Sequence, residues 1–391
     1  MKTTASLIAL SLAACLPLTA QGRDKPLLSI KLETKRAIER GNEYLKSVQH
    51  ADGYWNNPKY PAYTALALTG ALRSPSYKDA EYVRKGLDWL VKQQKTDESK
   101  KDHGGIYVEG LGTYNTATSI VALVASGDKK YYPAILKARA YLIRMQANPG
   151  NLGDLDEKHL GGIGYGGSYK HSDLSNTHLS IEALRLSAHI ARDNADGKQP
   201  ELDWEAAIGF VSRVQNLKET NKTDGISNDG SFNYYVGGSK ANPHIQPNGT
   251  ELLRGYGSMS YAGLLSMIYA DLDEKDVRVK AVKKWLREHY SVKENPGLAT
   301  KEHPELGQQG LFYYYQAMAK ALTAANIDKL TLKDGTQADW RRDLAREILS
   351  KQRENGSWIN TGNSRWWENE SELVTAYGVI TLGQIYQSIP Q

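Results

Sequence analysis

Arg40-Gly41-Asn42-Glu43-Tyr44-Leu45-Lys46-Ser47-Val48-Gln49, followed after His50 by Ala51-Asp52-Gly53-Tyr54-Trp55, is the stretch that decides the architecture. An aromatic–aliphatic pair, a glutamine four residues on, then a glycine and an aromatic recur along the chain. Trp89-Leu90 with Gln94 and Gly105-Ile106-Tyr107 form a second copy, and Tyr141-Leu142 with Gln146 a third. Phe210-Val211 with Gln215 and Gly230-Ser231-Phe232 form a fourth. The fifth keeps Trp285-Leu286 with Tyr290 in the glutamine slot, and Gln352 to Gly356-Ser357-Trp358 is the sixth. Each copy leads into a second helix marked by a small hydroxyl residue ahead of apolar residues at helical spacing: Thr64, Thr116, Thr177, Ser260 and Thr375, with Tyr315 in the fifth unit. These marks lie 52, 61, 83, 55 and 60 residues apart, so each unit has room for a helix, a loop and a helix. A repeat of this size means an array in which neighbouring units bury a shared core. No unit reads as a polar cap, which favours closure into a ring over an open solenoid.

The pattern resembles the QW repeat of the terpenoid cyclase and protein prenyltransferase superfamily over roughly residues 35 to 388. The fifth unit, Glu294-Asn295-Pro296-Gly297 with Gln309-Gly310-Leu311-Phe312-Tyr313-Tyr314-Tyr315, is similar to a squalene-cyclase segment. The resemblance implies an all-α fold, an α/α toroid of six helical hairpins with about twelve core helices. It also implies a structural role for the glutamines, tying helix ends to loops, and says little about activity.

Charge and composition narrow the rest. The 49 basic and 44 acidic residues leave a net charge of +5, spread along the chain, which gives no footprint for nucleic acid. A hydrophobic share of 40% suffices for a large core, and no apolar run beyond the N-terminus is long enough to span a membrane. Residues 1–22 read as a signal peptide, with Lys2, an apolar Ala5 to Ala14 and small residues before Arg23, so residues 23–391 are expected to be an exported toroid domain. Cleavage near Ala20 or Gly22 would release it to the periplasm or medium. Leu12-Ala13-Ala14-Cys15 also resembles a bacterial lipobox, which would leave a lipid anchor on Cys15. Cys15 is the only cysteine, so disulfides, thiol nucleophiles and thiolate metal ligands are absent from the released chain. Prenyltransferases of the superfamily bind zinc partly through a cysteine, so the resemblance does not extend to their chemistry. His171 and His178 are seven residues apart, no standard metal-ligand spacing. No metal and no cofactor are expected.

Candidate site residues are those just before the inner helices, which a ring brings to one mouth. Tyr114, Asn115, Tyr165, Tyr256, Tyr313, Trp366 and Trp367 are the expected ligand-binding set, and Asp173, His171 and Asn176 the expected catalytic set. Taken singly, any of the tyrosines is as well explained by packing between helices. Ser172-Asp173-Leu174-Ser175-Asn176-Thr177 lies where squalene cyclases carry Asp-x-Asp-Asp-Thr. Asp173 matches the first aspartate and Thr177 the threonine, but Ser175 stands at the proton donor and Asn176 at its neighbour. Alkene protonation needs a carboxylic acid, so cyclisation is not expected. Asp173 also reads as a simple helix cap, and Asp271-Leu272-Asp273-Glu274 as a cap for a later helix.

Three functions stay open. One is a cyclase-like enzyme, against which 24 Tyr and three Phe argue for a wet, hydroxyl-lined site. The second is a carbohydrate-active lyase or glycosidase on the same architecture. The third is a non-catalytic binding toroid. The expected partner is a small molecule or an oligosaccharide.

Overall fold

The computed structural model describes residues 25–74, 76–150, 156–166, 171–194 and 199–389. The expected signal peptide, with Cys15, lies outside them. Thirteen α-helices account for about half of the described residues, and the only strands there form two short hairpins.

Six helices carry burial on every side: α2 (Ala62–Leu72), α4 (Gly112–Ser126), α6 (Leu174–Leu186), α9 (Gly257–Tyr269), α11 (Leu311–Ala324) and α13 (Ser371–Ser388). Their sequences are apolar or small all round, as for α2, AYTALALTGAL, and a helix without a polar face belongs inside. In sequence order each packs on the next, and α13 packs on α2, so the inner ring closes. The outer helices are α1 (Lys25–Ser47), α3 (Glu81–Lys92), α5 (Tyr132–Arg144), α8 (Trp204–Val214), α10 (Val277–Glu288) and α12 (Trp340–Ser350). These are amphipathic. On α3 the buried residues are Tyr82, Val83, Gly86, Leu87, Trp89 and Leu90, while charged residues face out. The protein is an all-α toroid of six hairpins, with a short extra helix α7 (Ala188–Asn194) after α6.

The repeated phrase is the fastener of this ring. Gln49 Nε2 donates to Gly53 O in its own loop and to Tyr82 O in the first turn of α3, both at 2.9 Å. Gln94 makes the same pair with Gly104 O and Ala134 O, Gln146 with Gly161 O and Asp203 O, and Gln215 with Gly230 O and Arg278 O. Gln352 reaches Gly356 O and Ala37 O of α1, joining last unit to first. In the fifth unit Tyr290 takes over by donating to Asp343 Oδ2 on α12 at 3.2 Å. A loop glycine carbonyl and a carbonyl of the next outer helix, near its start or, on α1, at mid-helix, are thus tied by one amide. Trp55 and Trp358, fully buried, donate Nε1–H to Leu45 O and Ile348 O.

The hydroxyl marks pin loop to inner helix. Backbone N–H groups of Trp55, Ile106, Ile163, Phe232 and Trp358 donate to Thr64, Thr116, Thr177, Ser260 and Thr375. Where Tyr315 replaces them, its own hydroxyl donates to Val292 O at 2.8 Å. The cap expected from Asp271–Glu274 is instead Asp276, whose carboxylate accepts from Arg278 N; Asp273 only closes a turn on Lys275 N.

Because Gln352 ties its own loop to α1 through two hydrogen bonds, Gln352→Ala is expected to lower stability by about 1–2 kcal/mol, at roughly 1 kcal/mol per bond. Urea denaturation of the two proteins measures it. An unchanged midpoint would show that the seam is held without Gln352, by apolar packing and by Arg40, which donates to Arg353 O and Glu354 O.

Candidate functional site

All six inner helices begin on the same face, so their first turns and the loops before them surround one cavity. Its volume is about 230 Å³. Helix α2 contributes Ala62 and Tyr63, α4 Tyr114 and Asn115, α6 Ser175, α9 Ser258 and Met259, α11 Tyr313, and α13 Leu373 and Tyr377. Loops add Tyr60, Leu111, Tyr165, Tyr234, Tyr256 and the run Trp366-Trp367-Glu368.

Four of the eight tyrosine hydroxyls on the wall bond one another in pairs. Tyr114 Oη lies 3.0 Å from Tyr377 Oη across the ring, and Tyr165 Oη 2.9 Å from Tyr234 Oη. Burial pushes Tyr165 up to about 12, and Tyr63, Tyr114, Tyr256, Tyr313 and Tyr377 also lie above the ordinary phenol value for the same reason. These phenols stay protonated at neutral pH. The four paired hydroxyls leave mainly ring surface for whatever enters.

Two buried carboxylates stand near this space, and each sits on a helix N-terminus. Asp173 is fully buried and caps α6, accepting from Asn176 N at 2.9 Å and from Asn176 Nδ2 at 2.8 Å. Burial pushes it up to about 6, against the pull of those bonds and the nearby Tyr234 hydroxyl. Glu368 caps α11 from a distance: Oε1 accepts from Tyr313 N at 2.9 Å and Oε2 from Asn360 Nδ2 at 2.7 Å. Burial raises it to about 7 despite these donors. Glu368, unlike Asp173, lies on the cavity wall.

The structure therefore gathers Tyr114, Asn115, Tyr165, Tyr256, Tyr313, Trp366 and Trp367 around one space. It does not bring Asp173, His171 and Asn176 to the wall. Asp173 and Asn176 bond each other at the start of α6, behind Tyr165 and Tyr234. His171 packs its ring 6.4 Å from His159 and 6.0 Å from Tyr235. The reason is geometric: the capping position of a helix points its side chain back onto the helix's own amides. Ser175, two residues on, does face the cavity, so the place where cyclases carry their donor is open to the site but holds a hydroxyl. Asn115 lines the wall while its Oδ1 accepts from Ala62 N, capping α2.

Glu368 escaped the sequence reading. The only signal was its position immediately after Trp366-Trp367, seven residues ahead of the Thr375 mark. Trp366 and Trp367 themselves have left-handed backbones, φ 60° and 61°, a conformation that disfavours bulky residues, and they remain partly exposed at the mouth. Their neighbours hold them there. The Trp366 ring lies on Gly310, where a Cβ would come within 2.7 Å of it, and Trp367 lies 6.0 Å from Tyr60. Backbone strain of this kind concentrates at ligand clamps.

No protein-family model matches the chain, and no curated protein matches it. Solved structures do. An apo variant of the type II terpene cyclase MstE from Scytonema is 12% identical with a TM-score of 0.53, covering 92% of this chain and 99% of that one. Apo MstE is 15% identical with a TM-score of 0.52, covering 90% and 98%. A possible member of the GH105 family from Salmonella enterica is 14% identical with a TM-score of 0.52, covering 91% and 94%. At such identities the shared property is the toroid.

Proposed function

We propose that this protein is a binding toroid that takes up a small, largely apolar molecule at the mouth where its inner helices begin. Delivery outside the cytoplasm, by the basic start at Lys2 and the apolar Ala5 to Ala14, is part of the same proposal. The observation that carries it is the composition of the wall: eight tyrosines and two tryptophans around about 230 Å³, with Glu368 the one carboxylate among the described residues. Pockets for drug-sized ligands run about 300–1,000 Å³, so the occupant is small.

Two observations weigh against the enzymes of similar shape. Ser175 faces the cavity in place of an acid, which removes the proton donor of squalene-type cyclisation. Glycoside hydrolysis in its usual form needs two carboxyl groups flanking one bond, and this wall supplies one. The carbohydrate reading keeps one support, the exposed rings of Trp366 and Trp367, on which a sugar could stack.

Native mass spectrometry of the purified protein with farnesol, geranylgeraniol, squalene and short oligosaccharides tests the reading. An isoprenol is expected to give a one-to-one adduct, with no cyclised product from squalene. Ser175→Phe, which fills the cavity from α6, is expected to abolish the adduct while the circular dichroism spectrum is unchanged. Adducts that survive Ser175→Phe would place binding elsewhere. Oligosaccharide adducts alone would favour the carbohydrate reading.

A further inference from the structure

We infer that the cavity selects an organic cation, a quaternary or protonated alkylammonium group carried on a small apolar body. The inference rests on the binding reading above and names the ligand class for that site. The first ground is the wall itself. A ring face is the negative end of an aromatic quadrupole, and a cation held within about 6 Å of several such faces in a desolvated site is bound more strongly than in water. Ten aromatic residues contribute to this wall, and the hydroxyls of Tyr114, Tyr377, Tyr165 and Tyr234 are engaged with one another.

The second ground is charge. Six helix N-termini face the cavity, and their partial positive charge by itself would favour an anion. That potential is already met by acids: Asp173 on α6, Glu368 on α11, and Glu370 and Glu372 at the start of α13. The last two lie near Tyr63 and receive the amide of Asn56. No lysine, arginine or histidine lines the cavity among the described residues, and there Glu368 forms no ion pair. Two cations sit outside the lining against wall aromatics, Lys240 over Tyr234 at 4.5 Å and Arg365 over Trp366 at 4.9 Å. An anionic ligand would meet Glu368 with only these two cations, both outside the lining, to offset the repulsion. A cationic one would supply the partner that Glu368 lacks.

The third ground is the state of Glu368. Both of its oxygens accept from N–H donors, which suits the carboxylate, while burial without a counter-ion holds its protonation near pH 7. A cation in the cavity favours the ionised form, so affinity should grow as pH rises through that range and fall below it. The groups flanking Glu368 are the phenols of Tyr313 and Tyr315 on α11 and Tyr377 on α13, all raised by burial and protonated throughout. Asp173, raised to about 6 behind Tyr165 and Tyr234, also titrates nearby. A Glu368 variant separates the two acids.

Isothermal titration with choline and its uncharged carbon isostere, 3,3-dimethylbutan-1-ol, isolates charge at constant shape. Choline is expected to bind at least about tenfold more tightly, as a desolvated cation–π site provides. That preference should shrink from pH 8 to pH 6 in the wild type, and in Glu368→Gln should be smaller and insensitive to pH. The pH series on the wild type keeps the test decisive if Glu368→Gln fails to fold. Equal binding of the two probes would overturn the cation assignment and leave the cavity-binding reading intact. If neither probe binds while the Ser175→Phe-sensitive isoprenol adduct forms, the cation assignment alone falls. If no adduct forms either, both readings fall together.

Discussion

Lys320→Met is expected to destabilise the protein by about 3–5 kcal/mol, because it strands a buried carboxylate. Lys320 Nζ on α11 lies 2.7 Å from Glu182 Oε1 on α6, and Glu182 is fully buried. These helices are not neighbours in the ring, since α9 stands between them, so the pair bridges the interior beyond the cavity. Burial pushes Glu182 up, but Lys320, His178 and Arg73 outweigh it and hold the carboxyl below its ordinary value. A carboxylate with a depressed folded value contributes stability above its unfolded value and loses it as pH falls through the folded one. The loss from Lys320→Met should therefore be full at pH 7 and shrink below about pH 4.5, the ordinary range for glutamate. Urea denaturation at pH 7 and pH 3.5 measures both, and adding Glu182→Leu should recover most of the deficit. A single variant within about 1 kcal/mol of wild type at pH 7 would mean that water already solvates Glu182.

A comparable loss is expected from Gly161→Ala. The glycine follows the third glutamine phrase with φ 81°, and a Cβ there would stand 1.9 Å from Ala206 O on α8. Left-handed strain of about 1–3 kcal/mol adds to an overlap cost of about 1–3 kcal/mol, and the helix cannot withdraw without stretching the Gln146 bonds to Asp203. Thermal and urea unfolding report the sum. Gly237→Ala is the control: it has the same φ of 81° with nothing within 4 Å, so it should show the strain alone. Equal losses in the two variants would refute the role given to backbone contact.

The same contact explains a detail of the repeat. Each phrase carries a small residue in its outer helix, as in Arg40-Gly41, Lys85-Gly86 and Ala206-Ala207, and the glycine of the preceding unit approaches the carbonyl just before it. At the seam, a Cβ on Gly356 would lie 2.4 Å from Arg40 O. Glutamine, glycine and the small residue form one joint between neighbouring outer helices. Period and spacing alone made that joint readable as an array, and made the first turns of the inner helices readable as the place where polar and aromatic residues collect.

Side-chain direction was harder to read. Asp173 was singled out because its motif resembles a cyclase's, yet the capping position turns it onto Asn176 and away from the cavity. Glu368 lies in no motif, and becomes a wall residue only because the last loop folds over α11 and places its carboxylate on the amide of Tyr313. Tyr234 sits 22 residues before Tyr256 in the chain, but the loop between them returns and leaves both on the wall.

By itself the sequence determined the all-α repeat, its six units and the helix starts that share a face, because those follow from local periodicity and from hydrogen bonds made between adjacent units. Only the tertiary structure decided which carboxylate meets the cavity, which hydroxyls are already paired and which charges are buried opposite one another. Those depend on residues far apart in the chain arriving at the same few ångströms, and the order of residues does not encode that separation.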